Sequence, residues 1–287
     1  MKRALLFAIL ATLSLAAGAQ CRPSLPVSGV ESVRACDRKT TVCVDPEMAL
    51  ARYAERVEGF DDPAVPLVFI HASPWRFYDA ESRIVTVAEL ADNIRPSLHR
   101  GVKRINLVAS WSGVRPEPGT PSLAEQLSSA LGGTPVTGAD GFLWINRYGR
   151  MRTTRQMATT FQGTGYTVPE GGEVFISLAA GWRTHHSGHY ASERNAEGLL
   201  NAGVGSDLYM LCPEQALETF EYSALLGNPV AAYNAAVMRL ERNGPGDAEA
   251  ATALLSKAAK AGDDPARKRL EALRSSGRLA VPQANSQ

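Results

Sequence analysis

The chain has 287 residues, 45% of them hydrophobic, with 30 Lys and Arg set against 29 Asp and Glu. That composition excludes a disordered chain. The near balance of charge supplies neither the basic footprint that nucleic acid binding rests on nor a polybasic patch for anionic lipid.

The chain begins MKRALLFAILATLSLAAGAQC. Lys2 and Arg3 form a basic n-region, an apolar run extends to Ala17, and Ala17-Gly18-Ala19 is an A-x-A cleavage site. The apolar run is shorter than the ~20 residues that span a bilayer, and no later segment qualifies as a span. Residues 1–19 therefore read as a signal peptide cleaved near Ala19, and the mature protein as periplasmic or secreted. A lipid anchor on Cys21 would want a small residue before it, where Gln20 stands. Cys21, Cys36, Cys43 and Cys212 survive cleavage. An even count in an exported chain suggests two disulfides, for which three connectivities exist. Cys36 and Cys43 flank DRKTTV like the arms of a hairpin, which favours that bond and leaves Cys21 with Cys212. None of the spacings is a zinc pattern, and no cofactor is expected.

Taken in chain order, residues 20–62 read as an N-terminal extension made of the cysteine hairpin and one helix. Asp45-Pro46-Glu47 offers an N-cap, a proline at the first helical position and an early acid. Residues 63–212 read as an α/β domain. VPLVFIHA is a continuous apolar run, the pattern of a strand covered on both faces. TVAELADNI opens with a capping box, Thr86 with Glu89, and stops before Pro96. RINLVAS is a second strand. SLAEQLSSALGG is a second helix, boxed by Ser122 and Glu125 and stopped at Gly132-Gly133. PVTG follows as a short strand, GFLWINRYG as a hairpin arm and GEVFISLAAG as a further strand. The alternation predicts an α/β fold, mainly a parallel sheet with crossover helices.

From Pro213 the strand pattern stops and an internal repeat begins. ALETFEYSALLGNPVAAYNAA aligns with AATALLSKAAKAGDDPARKRL, matching Ala216 to Ala251, Phe220 to Leu255, Ala224 to Ala259, Gly227 to Gly262 and Ala231 to Ala266. Small residues at these places allow close helix approach, and each glycine suits the turn between two helices. The segment AAYNAAVMRLERNGPGDAEAATALLSKAAKAG resembles Sel1-like repeats, relatives of the tetratricopeptide repeat, whose pattern is A..YN.A.M....G.G...D...A..LL.KAA..G. The resemblance implies a short α-helical tail over residues 213–273 that acts as a protein–protein adaptor. Two stacked units are marginal alone, so the tail is expected to pack on the α/β domain. Residues 274–287 read as a disordered end.

His71 closes the first core strand and Ser110 the second. Adjacent parallel strands bring such positions to the carboxyl edge of a sheet, where α/β folds bind ligands. A histidine there can take the proton of a neighbouring hydroxyl, and the amides of Ser112 and Gly113 could face an oxyanion. The order strand-His, helix, strand-Ser, helix, PVT resembles caspase-like cysteine peptidases over residues 67–141. In that family the histidine precedes a glycine and the nucleophile is a cysteine, in a segment like V.L.AC.SG. Here Ala72 and Ser110 occupy those places, so the resemblance implies a scaffold without its thiol. The loop WRTHHSGHY gathers His185, His186 and His189, imidazoles that suit zinc or copper, or else a solvated loop. Trp111, Trp182 and Tyr190 are candidate aromatic anchors for a partner. GTGYTVPEGG lacks the lysine and helix of a phosphate loop, and Ser110 has no G-x-S-x-G elbow.

The expected function is that of an exported protein–protein interaction protein, an adaptor or toxin-immunity factor built on a catalytically inert α/β scaffold. Its partner is another protein, bound through the helical repeats. The alternative is a hydrolase or peptidase using a His71–Ser110 dyad. A metal-binding module using the histidine loop is the third reading.

Overall fold

The computed structural model describes residues 41–43, 56–57, 60, 62–146, 148–154, 167–170, 173–177 and 195–276. Strands β1 (Thr41–Cys43), β2 (Leu67–Phe69), β6 (Ile105–Val108) and β7 (Val136–Thr137) form one sheet in the order β1-β2-β6-β7, every pair parallel. Parallel neighbours need a crossover. Helix α1 (Val87–Ile94) lies in the connection from β2 to β6, and α2 (Leu123–Ala130) in that from β6 to β7. Both helices begin at their expected capping boxes, Thr86 with Glu89 and Ser122 with Glu125. β2 is apolar at every position because both of its faces are covered. Val68 and Ile70 pack with Leu90, Ile94 and Leu127 of the helices, while Leu67 and Phe69 pack with Leu143 and Ile145 on the opposite side.

The parallel arrangement is confined to that sheet. The VPLVFIHA run breaks at Ile70, and β3 (His71–Ala72) turns away to pair antiparallel with β4 (Phe77–Tyr78), which pairs with β5 (Ile84–Val85). A third sheet holds β8 (Phe142–Asn146), β9 (Met151–Thr154), β10 (Thr167–Glu170) and β11 (Glu173–Ser177) in the order β10-β11-β8-β9, all antiparallel. The expected mainly parallel sheet is thus corrected to a mixed sheet region. The physical reason is connection length: the links within β8–β9 and β10–β11 are hairpin turns, far short of the dozen or so residues a parallel crossover requires. Within residues 20–62, Thr41 to Cys43 form an edge strand parallel to β2. The proposed hairpin partner of Cys43, most of the helix expected from Asp45, the signal peptide and the C-terminal end beyond residue 276 lie outside the described residues.

Five helices follow: α3 (Ala196–Leu208), α4 (Pro213–Leu225), α5 (Pro229–Arg242), α6 (Asp247–Lys260) and α7 (Asp264–Ser275), consecutive ones packing on each other. The run begins one helix before Pro213. Gly198, Gly203 and Gly205 in α3 are poor helix formers, which hides this element from a reading of periodicity. The α4–α5 and α6–α7 turns are copies of one another. Gly227 and Gly262 are left-handed, with φ of 105° and 91°. The N–H of Asn228 returns to Ser223 O as that of Asp263 returns to Ala258 O. Asn228 and Asp263 then cap the next helix by accepting from the N–H of Ala231 and Ala266. Ala216 and Ala251, Phe220 and Leu255, and Ala231 and Ala266 are buried in pairs, while Ala224 is buried and its match Ala259 only partly so. Among the described residues no helix is long and apolar enough to cross a membrane.

Close approach is decisive between α3 and α4. A Cβ placed on Gly203 would fall 2.6 Å from Cδ1 and Cε1 of the buried Phe220 ring. Alanine gains about 0.5–1 kcal/mol over glycine inside a helix, but overpacking a buried contact costs about 1–3 kcal/mol. Gly203→Ala is therefore expected to lower Tm in thermal unfolding followed by circular dichroism. An unchanged or raised Tm would show that the contact is loose.

Candidate functional site

The carboxyl edge of the parallel sheet places the two residues of the candidate dyad at matching positions. Phe69 pairs with Val108, and His71 and Ser110 each lie two residues further on. Both are buried, at 3% and 4% exposure. The Ser110 Oγ accepts from the N–H of Leu143, at 3.1 Å, so the hydroxyl is a joint between the parallel sheet and β8. The following amides are engaged as well. Trp111 N–H donates to Gly141 O at 2.8 Å and Gly113 N–H to Ala139 O at 2.7 Å. Ser112 Oγ donates to Ala109 O and accepts from the N–H of Ala139. Gly113 and Gly138 cross so tightly that a Cβ on the former would lie 2.7 Å from the latter's carbonyl oxygen. The Ser-Gly pair after Ser110 is thereby explained as a clasp between two loops, and the Gly113 amide expected to face an oxyanion is already spent.

Trp111 is corrected from a surface anchor to a core residue. It is fully buried, with its ring edge-on to Phe142 at a centroid distance of 5.1 Å. Its φ of 62° is a left-handed conformation, unfavourable for a bulky side chain and held here by the loop's hydrogen bonds. Trp182, Tyr190, His185, His186 and His189 lie outside the described residues. Within the described residues no group of three or more His, Cys, Asp or Glu side chains could hold a metal ion. Cys212 is buried, and Cys21 and Cys36 lie outside the described residues.

A second cluster, absent from the sequence reading, joins the sheet region to the helices. Asp207 of α3 is wholly buried. Its Oδ2 accepts from the hydroxyls of Ser73 and Tyr78, each at 2.9 Å, and its Oδ1 from Nη1 of Arg76 at 2.8 Å. Arg76 Nε also donates to Glu241 of α5 at 2.7 Å. Burial works against the charge on Arg76, but Asp207 and Glu241 outweigh it and hold its pKa above the ordinary value. Burial first, then the Asp207 charge, pushes the Tyr78 phenol well above its usual range. A few residues on, Asn234 Oδ1 accepts from Ile84 N–H and its Nδ2 donates to Ser82 O, as a strand neighbour would. Arg83 donates through both terminal nitrogens to Asp263, at 3.0 and 2.6 Å, and stacks over the Tyr233 ring. Tyr233 donates to Glu89 at 2.9 Å. The one signal in the sequence for this cluster is the lone acid in the otherwise uncharged stretch GLLNAGVGSDLYM.

A family model described as a domain of unknown function (DUF8616) matches residues 39–153, from just before β1 into β9 and short of α3. No curated protein and no solved structure matches the chain.

Two outcomes are expected from this geometry. Asp207→Asn leaves Arg76 buried beside Glu241 alone, and breaking a buried pair from one side costs about 3–5 kcal/mol. Urea unfolding should show a loss of that order, and a loss under about 1 kcal/mol would mean that the cluster is solvated. The second concerns pH. Burial above all raises the Asp79 carboxyl from 3.8 to about 6, although its Oδ1 accepts from the N–H groups of Glu81 and Arg83. Between those two values the folded state keeps a proton that the unfolded chain has released, so this group's contribution to stability falls as pH rises through the window. Asp79→Asn keeps an acceptor oxygen and removes the titration. Its stability should therefore decline less than that of the wild type across that range, as urea midpoints at a series of pH values would show.

Proposed function

We propose that the protein is an exported adaptor that binds another protein through its helical repeats, with the sheet region as a catalytically inert support. The observation that carries this reading is the closed loop after β6, where Ser110 is buried and the Trp111 and Gly113 amides are taken by residues 139–141. The duplicated Gly-Asx turns of α4–α5 and α6–α7 support two stacked Sel1-like hairpins, units whose family role is protein binding. Cleavage near Ala19 would deliver the chain to the periplasm or beyond, where Cys36–Cys43 and Cys21–Cys212 can form. Toxin immunity or scaffolding in that compartment is the specific form of the proposal.

His71 and Ser110, each two residues beyond the paired Phe69 and Val108, favour a hydrolase as the second reading. The two are separated by experiment. A partner recovered from periplasmic extract by the mature chain should bind Ser110→Ala as tightly as the wild type, since that change removes one buried hydrogen bond worth about 1 kcal/mol. A serine-directed phosphonate should leave the wild type unlabelled. Labelling at Ser110 that disappears in His71→Ala would make the protein a hydrolase.

A further inference from the structure

The adaptor reading, on which this inference rests, leaves open which face of the helices meets the partner. Helices α3, α5 and α7 direct Asp207, Asn234, Glu241 and Asp263 at the chain's own segment 73–84. That face is occupied in cis, with Asp207, Asn234 and Asp263 buried in the contact. Helices α4 and α6 make none of those hydrogen bonds among the described residues. At the end of α4, Tyr222, Leu225 and the C-cap residue Leu226 are 41%, 71% and 38% exposed. They lie three and four residues apart, which sets them on one stripe of the helix. The repeat itself shows that packing does not require them. In the register that matches Ala224 to Ala259, Tyr222 corresponds to Lys257, Leu225 to Lys260 and Leu226 to Ala261. The second unit keeps the same turn with lysines at two of those places, so the first unit's apolar side chains are surplus to the fold. Lys257 Nζ reaches the carbonyl oxygens of Ala224 and Leu225, the latter at 3.4 Å, and so borders the stripe. Lys260 stands exposed one turn further along α6.

We infer that the Tyr222–Leu225–Leu226 stripe is the docking surface, and that its occupant is an amphipathic segment of the partner protein whose apolar face is edged by carboxylates. Apolar anchors seated on an exposed stripe are the helix-recognition mode. Lys257 and Lys260 make its α6 side basic and select an acidic edge there, while the exposed Glu218, one turn before Tyr222, marks its other end.

The test places the photo-crosslinking residue p-benzoylphenylalanine at Leu225, at Ala253 of the second unit, and at Tyr148 and Arg267 elsewhere, in the full chain expressed in its native host. Crosslinking to a partner protein is expected at 225 and not at 253. With that partner purified, Leu225→Lys and Lys260→Glu should each weaken binding at least about tenfold, while Lys260→Arg retains it and all three variants keep the wild-type Tm. A partner captured at 148 or 267 but not at 225 overturns this surface and leaves the adaptor reading standing. Capture at no position counts against both. Crosslinking at 225 to a second copy of the chain alone, or binding indifferent to Leu225→Lys, overturns the proposal.

Discussion

Asp207 accepts hydrogen bonds from Ser73, Arg76 and Tyr78 with no access to solvent, and the seating of the helices on the sheet region depends on that contact. Taking a carboxylate and a guanidinium out of water costs several kcal/mol apiece, so such a pair adds little net stability over apolar packing. Its effect is geometric. Apolar surfaces such as those around Ile84, Val204 and Phe220 tolerate sliding, because dispersion and hydrophobic contacts have little directionality. Three donors converging on one carboxylate do not.

The same economy runs along the rest of the contact. Glu89 boxes the start of α1 and also receives the Tyr233 hydroxyl. Asp263 caps α7 and holds Arg83 in a two-point pair. Asn234 lends its amide to the edge of β5 where a strand neighbour is missing. Residues that local rules assign to helix ends therefore also carry the tertiary contact. The Tyr-Asn pair of the repeat, Tyr233 and Asn234, is used within the chain.

The loop after β6 is closed for a related reason. It is pinned by backbone hydrogen bonds to residues 139–141 and by the crossing of Gly113 with Gly138. An oxyanion site needs amides that stay unpaired until charge develops. Here the packing of β8 against the parallel sheet has claimed the Trp111 and Gly113 amides, and the Ser110 hydroxyl with them.

What the sequence by itself determined is local. Thr86 with Glu89, Ser122 with Glu125, and the Gly-Asx turns at 227–228 and 262–263 act over three or four residues, so their spacing is enough to place helix ends. The register of the repeat was legible for the same reason, as was the burial of β2 on both faces from its unbroken apolar run. Tertiary structure alone decided the rest. Nothing in the spacing of His71 and Ser110 tells whether their surroundings are open, and nothing in GEVFISLAAG tells that it pairs antiparallel with β8. Asp207 is paired with a residue 131 positions earlier. A carboxylate's partner at that distance is chosen by how the sheets and helices close on one another, and no local periodicity encodes that closure.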